Sequence, residues 1–398
     1  MERLSNRVNA LAPSATLAMS QKAAELRAAG LNVINLSVGE PDFFTPDHIK
    51  QAAKDAVDAN FSFYSPVPGY LSLRQAVCDK LLRENGLRYT PDQIVVGNGA
   101  KHELCNVVMA LVNPGDEVII PTPAWVSYVQ MVNLAGGKSV LVPAQMDQDF
   151  KITADQLQDA ITDRTHAIIL CSPSNPTGAI YSHDELAAIA DVLARHEQVM
   201  VISDEIYEHI NYTGTHHSLA EFDAIRDRVV IVNGVSKAYA MTGWRIGYIA
   251  APTWLAKAVS KLQGQYTSGV SSIAQKAAEA AYRGSQDCVE QMRQAFMRRR
   301  DLIVELLQAI DGIELKMPDG AFYAFPRVTN YLNKTAPDGT TIATDSDLAA
   351  YLLQEAHVAT VAGSAFCAPG YIRLSYATSE DNIRAAVAAI AEALGKLR

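Results

Sequence analysis

Five runs of uninterrupted apolar residues constrain this chain more than any other feature: Val118–Ile120, Ala167–Leu170, Val199–Ile202, Val229–Val232 and Ile246–Ala250. Each is too short for a buried helix and lacks the alternation of a strand with one wet face, so each reads as a strand covered on both faces. Helical stretches lie between them. Leu104, Val107, Val108 and Leu111 fall at i, i+3, i+4 and i+7, and 183–196 is another such stretch. The pattern predicts an α/β architecture, a large domain over 46–290 with a mostly parallel sheet between helix layers. Ligands are then expected at the carboxyl ends of the strands.

The C-terminal part reads differently. A long helix around Glu290–Ile310 precedes three segments, Ile313–Met317, Ala321–Pro326 and Tyr371–Tyr376, that predict a small sheet. Helices over Asp345–Ala356 and Glu380–Leu397 are expected to cover it, with a polar surface loop at 330–344. A smaller α+β domain built from 1–45 and 291–398 follows, and 398 residues suit two such units.

Charge and cysteine usage exclude several function classes. The net charge of −9 is scattered, without the basic patch a nucleic-acid surface needs, and Arg298–Arg300 reads as a solvated helix face. The five cysteines are far apart and form no C-x-x-C pair, which predicts free thiols in a reducing compartment. The histidines show no metal spacing, and His216-His217 reads as a surface pair. No apolar run is long enough to span a bilayer, and the first residues lack a signal core, so a soluble cytoplasmic protein is expected.

Three predicted strand ends carry polar residues together. Ala167–Leu170 runs into Cys171-Ser-Pro-Ser-Asn175-Pro-Thr-Gly178, and Val199–Ile202 runs into Ser203-Asp204-Glu-Ile-Tyr207. Val229–Val232 runs into Asn233-Gly-Val-Ser236-Lys237, followed by Thr242-Gly-Trp-Arg245. A pyridine ring acting as an electron sink needs a carboxylate beside its protonated nitrogen, and its phenolic oxygen needs hydrogen-bond donors. Its aldehyde needs an amine made nucleophilic by desolvation, and its phosphate needs an arginine, hydroxyls and the free amides of a helix N-terminus. Gly97-Asn-Gly99-Ala100-Lys101, before a helix, offers such amides; His102 stands where a dinucleotide fingerprint needs its third glycine. Trp125 is a candidate aromatic plate for the ring.

These motifs closely resemble the fold-type I, class I aminotransferases. Ser172–Gly178, Ser203–Tyr207 and Ser236–Arg245 carry the likeness, which extends from Ser14-Ala-Thr16 and Val38-Gly-Glu-Pro-Asp42 to Ile372–Ala377. It is most similar to bacterial aspartate aminotransferases, in a subgroup that often also accepts prephenate or arogenate. The resemblance implies pyridoxal 5'-phosphate on Lys237 as a Schiff base, with Lys237 later shuttling a proton. It implies Asp204 at the pyridinium nitrogen, Tyr207 and Asn175 at the phenolic oxygen, and Trp125 stacked on the ring. Arg245, Ser236 and the Gly99, Ala100 and Lys101 amides would hold the phosphate. Arg373 would fork onto the substrate α-carboxylate, helped by Asn175 and the backbone of Gly39. Tyr64 matches a tyrosine that reaches the neighbouring subunit's cofactor, which implies a homodimer with shared active sites. Cis prolines are implied at Thr122–Pro123 and Asn175–Pro176.

An acidic substrate needs a cation for its distal carboxylate. The stretch 264–275, where some relatives supply an arginine, has none, and Lys101 with Thr16 matches the subgroup's recognition pair. A cation in the first turn of a helix is disfavoured and therefore calls for a reason. Ala12 stands where prephenate-using relatives carry a basic residue. L-aspartate and 2-oxoglutarate are the expected substrates. An aromatic or alanine aminotransferase and a lyase on the same fold are the alternatives within the cofactor class. Outside that class lies the ligand-sensing half of a transcription regulator, which specific DNA binding would reveal.

Overall fold

The computed structural model describes residues 4–398. Twelve strands follow in chain order among them: β1 (Ile34–Asn35), β2 (Ile94–Gly97), β3 (Glu117–Thr122), β4 (Lys138–Pro143), β5 (Thr165–Cys171), β6 (Met200–Asp204), β7 (Val229–Gly234), β8 (Gly247–Ala250), β9 (Tyr323–Ala324), β10 (Val358–Ala359), β11 (Val361–Ala362) and β12 (Ile372–Ser375). Strands β2 to β8 form one sheet in the order β2-β8-β7-β6-β5-β3-β4. Neighbours pair in parallel except those of β8, which runs against both β2 and β7.

The apolar runs behave as a doubly covered sheet requires. Successive side chains of a strand point to opposite faces. Val118, Ile120, Ala167, Ile169, Val230 and Val232 enter one core cluster, while Ile119, Ile168, Leu170, Val229 and Ile231 enter another. Both sets are buried, so no polar alternation is left to see. The helices that cover the faces start on legible signals. At Ser182 the hydroxyl accepts the Glu185 N–H (3.3 Å) and the Glu185 carboxylate accepts the Ser182 N–H (2.7 Å). This capping box opens the helix His183–Ala194.

The C-terminal region forms a three-stranded sheet, β11-β12-β9, and β10 pairs in parallel with β1 from the N-terminal region. Helices Asp345–Glu355 and Glu380–Gly395 match the expected covers, and the long helix spans Asp287–Gln308. The expected strand over Ile313–Met317 is not formed. Only Glu314 bridges to Arg327, because Asp319 and Gly320 just beyond donate to the Gly178 carbonyl and draw the chain toward that loop. The basic triplet is also less exposed than expected: Arg299 bonds Asp42 (2.7 Å) over the Phe43 ring, and Arg300 bonds Asp301 (2.6 Å) over the Tyr212 ring.

Of the two cis prolines expected, Thr122–Pro123 is cis, but the second cis bond is Ser172–Pro173, not Asn175–Pro176. The Ser172 N–H still bonds the Asp204 carbonyl of β6 (3.2 Å). Pro176 instead sits inside a turn closed by the Gly178 N–H on the Ser174 carbonyl (2.9 Å).

Candidate active site

Because β5, β6 and β7 are adjacent and parallel, their carboxyl ends deliver Asn175, Asp204 with Tyr207, and Ser236 with Lys237 to one edge of the sheet. A cavity of about 470 Å³ opens there. It is lined by Thr16, Gly39, Ala100, Lys101, Trp125, Asn175, Asp204, Tyr207, Ser236, Lys237, Arg245 and Arg373. The sequence-expected set is thus brought together, with two exceptions. Gly99 lies behind the lining as the residue capping the helix Ala100–Leu111, and Tyr64 is fully exposed elsewhere on the surface.

Lys237 Nζ donates to the Gly39 carbonyl (2.6 Å). Burial pulls its amine down to about 8, aided by the cationic Arg373 and Arg245 and opposed by Glu40 and Asp204. A substantial neutral fraction near pH 8 is what a nucleophilic lysine requires. Asp204, 3% exposed, accepts the Tyr128 O–H (2.6 Å) and the Ile206 N–H (3.3 Å). Burial raises its carboxyl to about 6 while these two donors favour the carboxylate. A cation beside Asp204 would favour it further.

Arg373 is buried in full. Its guanidinium donates to Asn175 Oδ1 (2.8 Å) and the Ser37 carbonyl (2.6 Å), lies over the Tyr323 ring, and leaves Nε without a partner. The Asn175 oxygen is engaged, which leaves its amide hydrogens as donors. Tyr207 and Tyr323 share a hydroxyl–hydroxyl bond (2.7 Å). Trp125 meets Tyr128 edge-on, and Lys101 Nζ lies 5.0 Å from the Trp125 ring centre. Burial lowers the Lys101 amine, and Arg245 lowers it further.

At the far end the helix Ala100–Leu111 presents its first amides, which a helix cannot satisfy itself. Gly99 has φ 88°, and a Cβ there would lie 2.2 Å from the Arg245 guanidinium. Glycine therefore lets Arg245 lie across the helix start. Amides, a buried Ser236 hydroxyl and a guanidinium suit a phosphate; a buried carboxylate, a phenol and an amide suit a protonated pyridine with a phenolic oxygen. The donor set fits pyridoxal phosphate.

Sequence reasoning missed Tyr128, Tyr323 and Glu40. Tyr128 follows Trp125 by three residues, in the first turn of the helix Ser127–Ala135, where its N–H bonds the Trp125 carbonyl (3.1 Å), a spacing that could have pointed to it. Glu40 bonds Thr242 at the cavity mouth. The expected surface pair is also corrected: the side chain of His216 is 8% exposed and meets Glu205 at 3.0 Å.

Glu103, in the first turn of the helix that carries Lys101, is fully buried with neither carboxyl oxygen bonded. Burial pushes it from 4.5 up to about 8. The folded chain therefore keeps a proton that the unfolded chain releases, so this group costs stability progressively as pH rises from 4.5 toward about 8. Glu103→Gln is expected to raise Tm by about 3–5 °C more at pH 9 than at pH 5. Thermal melts of both proteins at the two pH values check this, and equal shifts would contradict it.

The family described as aminotransferase class I and II matches residues 32–390. A protein named "probable aspartate/prephenate aminotransferase" from Rhizobium leguminosarum bv. phaseoli is 49% identical, over 97% of this chain and 97% of its own. The crystal structure of an aspartate aminotransferase from Rhizobium meliloti superposes with a TM-score of 0.96 at 45% identity, covering both chains completely. An aspartate aminotransferase from Thermus thermophilus with maleate gives a TM-score of 0.92 at 42% identity, over 99% of this chain and 100% of its own.

Proposed function

This chain belongs to the aminotransferase class I and II family, and from that premise we propose that it moves the amino group of L-aspartate to 2-oxoglutarate. The observation that carries this reading is Lys237, half-buried with a lowered amine pKa, in one cavity with Asp204 and Arg373.

Pyridoxal phosphate, when bound, supplies an aldehyde for amine exchange and a cationic ring that takes up the electron pair left as the α-proton departs. Arg373 binds the substrate α-carboxylate, its free Nε and buried fork fixing the α-carbon toward Lys237. Asn175 and the Gly39 backbone complete that orientation. Lys237 Nζ, when uncharged, would take the α-proton and deliver it two bonds away, at the former aldehyde carbon. Asp204 keeps the proton on the ring nitrogen, and Tyr128 holds the Asp204 carboxylate in place. Tyr207 and Asn175 donate to the phenolic oxygen, and Trp125 covers the ring. Arg245, Ser236 and the Ala100 and Lys101 amides hold the phosphate. The two half-reactions share one cavity, which gives ping-pong kinetics.

Lys101, with Thr16 on the same cavity wall, takes the distal carboxylate of aspartate. The Thermus aspartate aminotransferase is seen with maleate, a small dicarboxylate, which supports a diacid of this size. Lys101→Ser is expected to raise KM for aspartate by roughly tenfold or more, about 1.4 kcal/mol, and KM for alanine far less. Steady-state kinetics on both amino acids check this; equal effects would refute the role. Prephenate is a second reading, supported by the Rhizobium relative's name, and Ala12 is the residue that departs from it.

The same reading gives a homodimer with shared active sites in a cytoplasmic setting. Phe44, Phe63 and Tyr64 are 91%, 81% and 100% exposed, apolar surface that a second copy of this chain would cover. Five unpaired cysteines accord with a reducing compartment, and no helix among the described residues is long and apolar enough to cross a membrane. The large sheet falls within 46–290 and the C-terminal sheet within 291–398, which supports that division into two domains.

A further inference from the structure

The loop that sends Asp204 and Tyr207 into the cavity sends Glu205 and Glu208 away from it. Both carboxylates are nearly sealed from solvent, at 1% and 6% exposed. Glu208 is paired with Lys80, which is wholly buried in the helix Leu71–Asn85. Its other oxygen accepts from Asn85 (3.0 Å). Glu205 accepts from the Ser203 hydroxyl (2.8 Å), the Ser218 hydroxyl (2.6 Å) and His216 (3.0 Å). Glu205, Glu208 and His216 lie close enough to share an ion, but the Lys80 ammonium and two hydroxyls already occupy the oxygens such an ion would use.

One bond from this cluster reaches the cofactor lysine's strand. Asn233, 2% exposed, donates through Nδ2 to Glu208 Oε1 (2.8 Å), and its Oδ1 accepts the Gly234 N–H (2.7 Å). Gly234 is pressed on β8, where a Cβ would lie 2.7 Å from the Gly247 Cα. Lys237 follows three residues later. A side chain bonded at both ends to buried groups fixes the backbone it bridges, since either bond left unmade would strand a buried polar group.

We propose that Asn233, anchored by the Lys80–Glu208 ion pair, is a positioning residue that sets the exit of β7 so that Lys237 Nζ meets the cofactor aldehyde. This rests on the aminotransferase reading above. Asn233 touches neither cofactor nor substrate, so its effect falls on the lysine and not on the ring or phosphate sites.

Two cofactor forms separate these contributions. Pyridoxal phosphate draws on Lys237 as well as on the ring and phosphate contacts, whereas pyridoxamine phosphate has an amine in place of the aldehyde and cannot condense with Lys237. The Kd of each is measured for the cofactor-free wild type and for Asn233→Ala, which leaves the Lys80–Glu208 pair in place. The expected result is a Kd for pyridoxal phosphate raised about tenfold or more, with that for pyridoxamine phosphate changed by less than about twofold. Equal weakening of both forms, or no change in either, would overturn the proposal. Asn233→Ser, which is too short to bridge Glu208 and Gly234, decides the matter in the same way if the alanine variant does not fold. A wild type that binds no pyridoxal phosphate would overturn the underlying reading together with the proposal.

Discussion

Lys237→Ala is expected to remove transamination altogether, lowering kcat by roughly five orders of magnitude or more, about 7 kcal/mol of barrier. The cavity contains one other lysine, Lys101, whose Nζ sits over the Trp125 ring. Lys101 opens the helix at the phosphate end and cannot take over the α-proton. The variant should still fold, because Lys237 makes one hydrogen bond to the protein, to the Gly39 carbonyl, and its loss leaves a methyl in a region that is already partly open. Purified variant with an unchanged melting profile and no turnover is the expected result. Near-wild-type turnover would contradict the assignment.

Asp204→Ala is expected to cut kcat by roughly three orders of magnitude, about 4 kcal/mol. On this reading the carboxylate acts by keeping the ring nitrogen protonated, and its neighbours in the cavity cannot replace it: Cys171 is a neutral thiol, its pKa raised far by burial, Tyr128 is a donor, and the other carboxylate of the lining, Glu40, is bonded to Thr242. The loss should fall on kcat more than on KM, since the proposed substrate contacts, Arg373 and Lys101, are separate from Asp204. Unchanged kcat would mean that Asp204 serves only to hold Tyr128 and the Ile206 amide.

The strands of the large sheet were legible because a strand buried on both faces has no choice but to be apolar throughout, as Val118–Ile120 and Val229–Val232 are. The reversed direction of β8 was not, since its hydrophobic pattern is the same whichever way it runs. β1, β10 and β11 are two residues each, shorter than any period can reveal. In the site, Asn175, Asp204, Tyr207, Lys237 and Arg245 were legible because polar residues stand together just past three apolar runs. Tyr128 and Tyr323 did not, because a buried tyrosine is ordinary core material until a carboxylate or a second hydroxyl is found against it. His216 misled for the converse reason. Its polar neighbours in sequence suggest solvent, whereas its partner Glu205 is supplied by the loop after β6.

The most direct test of the central claim is the absorption spectrum of the purified protein before and after L-aspartate is added without any keto acid. The expected result is loss of the band of lysine-linked cofactor, appearance of the pyridoxamine form, and oxaloacetate released in a one-to-one ratio with active sites. A band that ignores aspartate but responds to alanine or an aromatic amino acid would contradict the role of Lys101 and with it the acidic substrate. No such band, even after pyridoxal phosphate is supplied, would contradict the account of Lys237 itself.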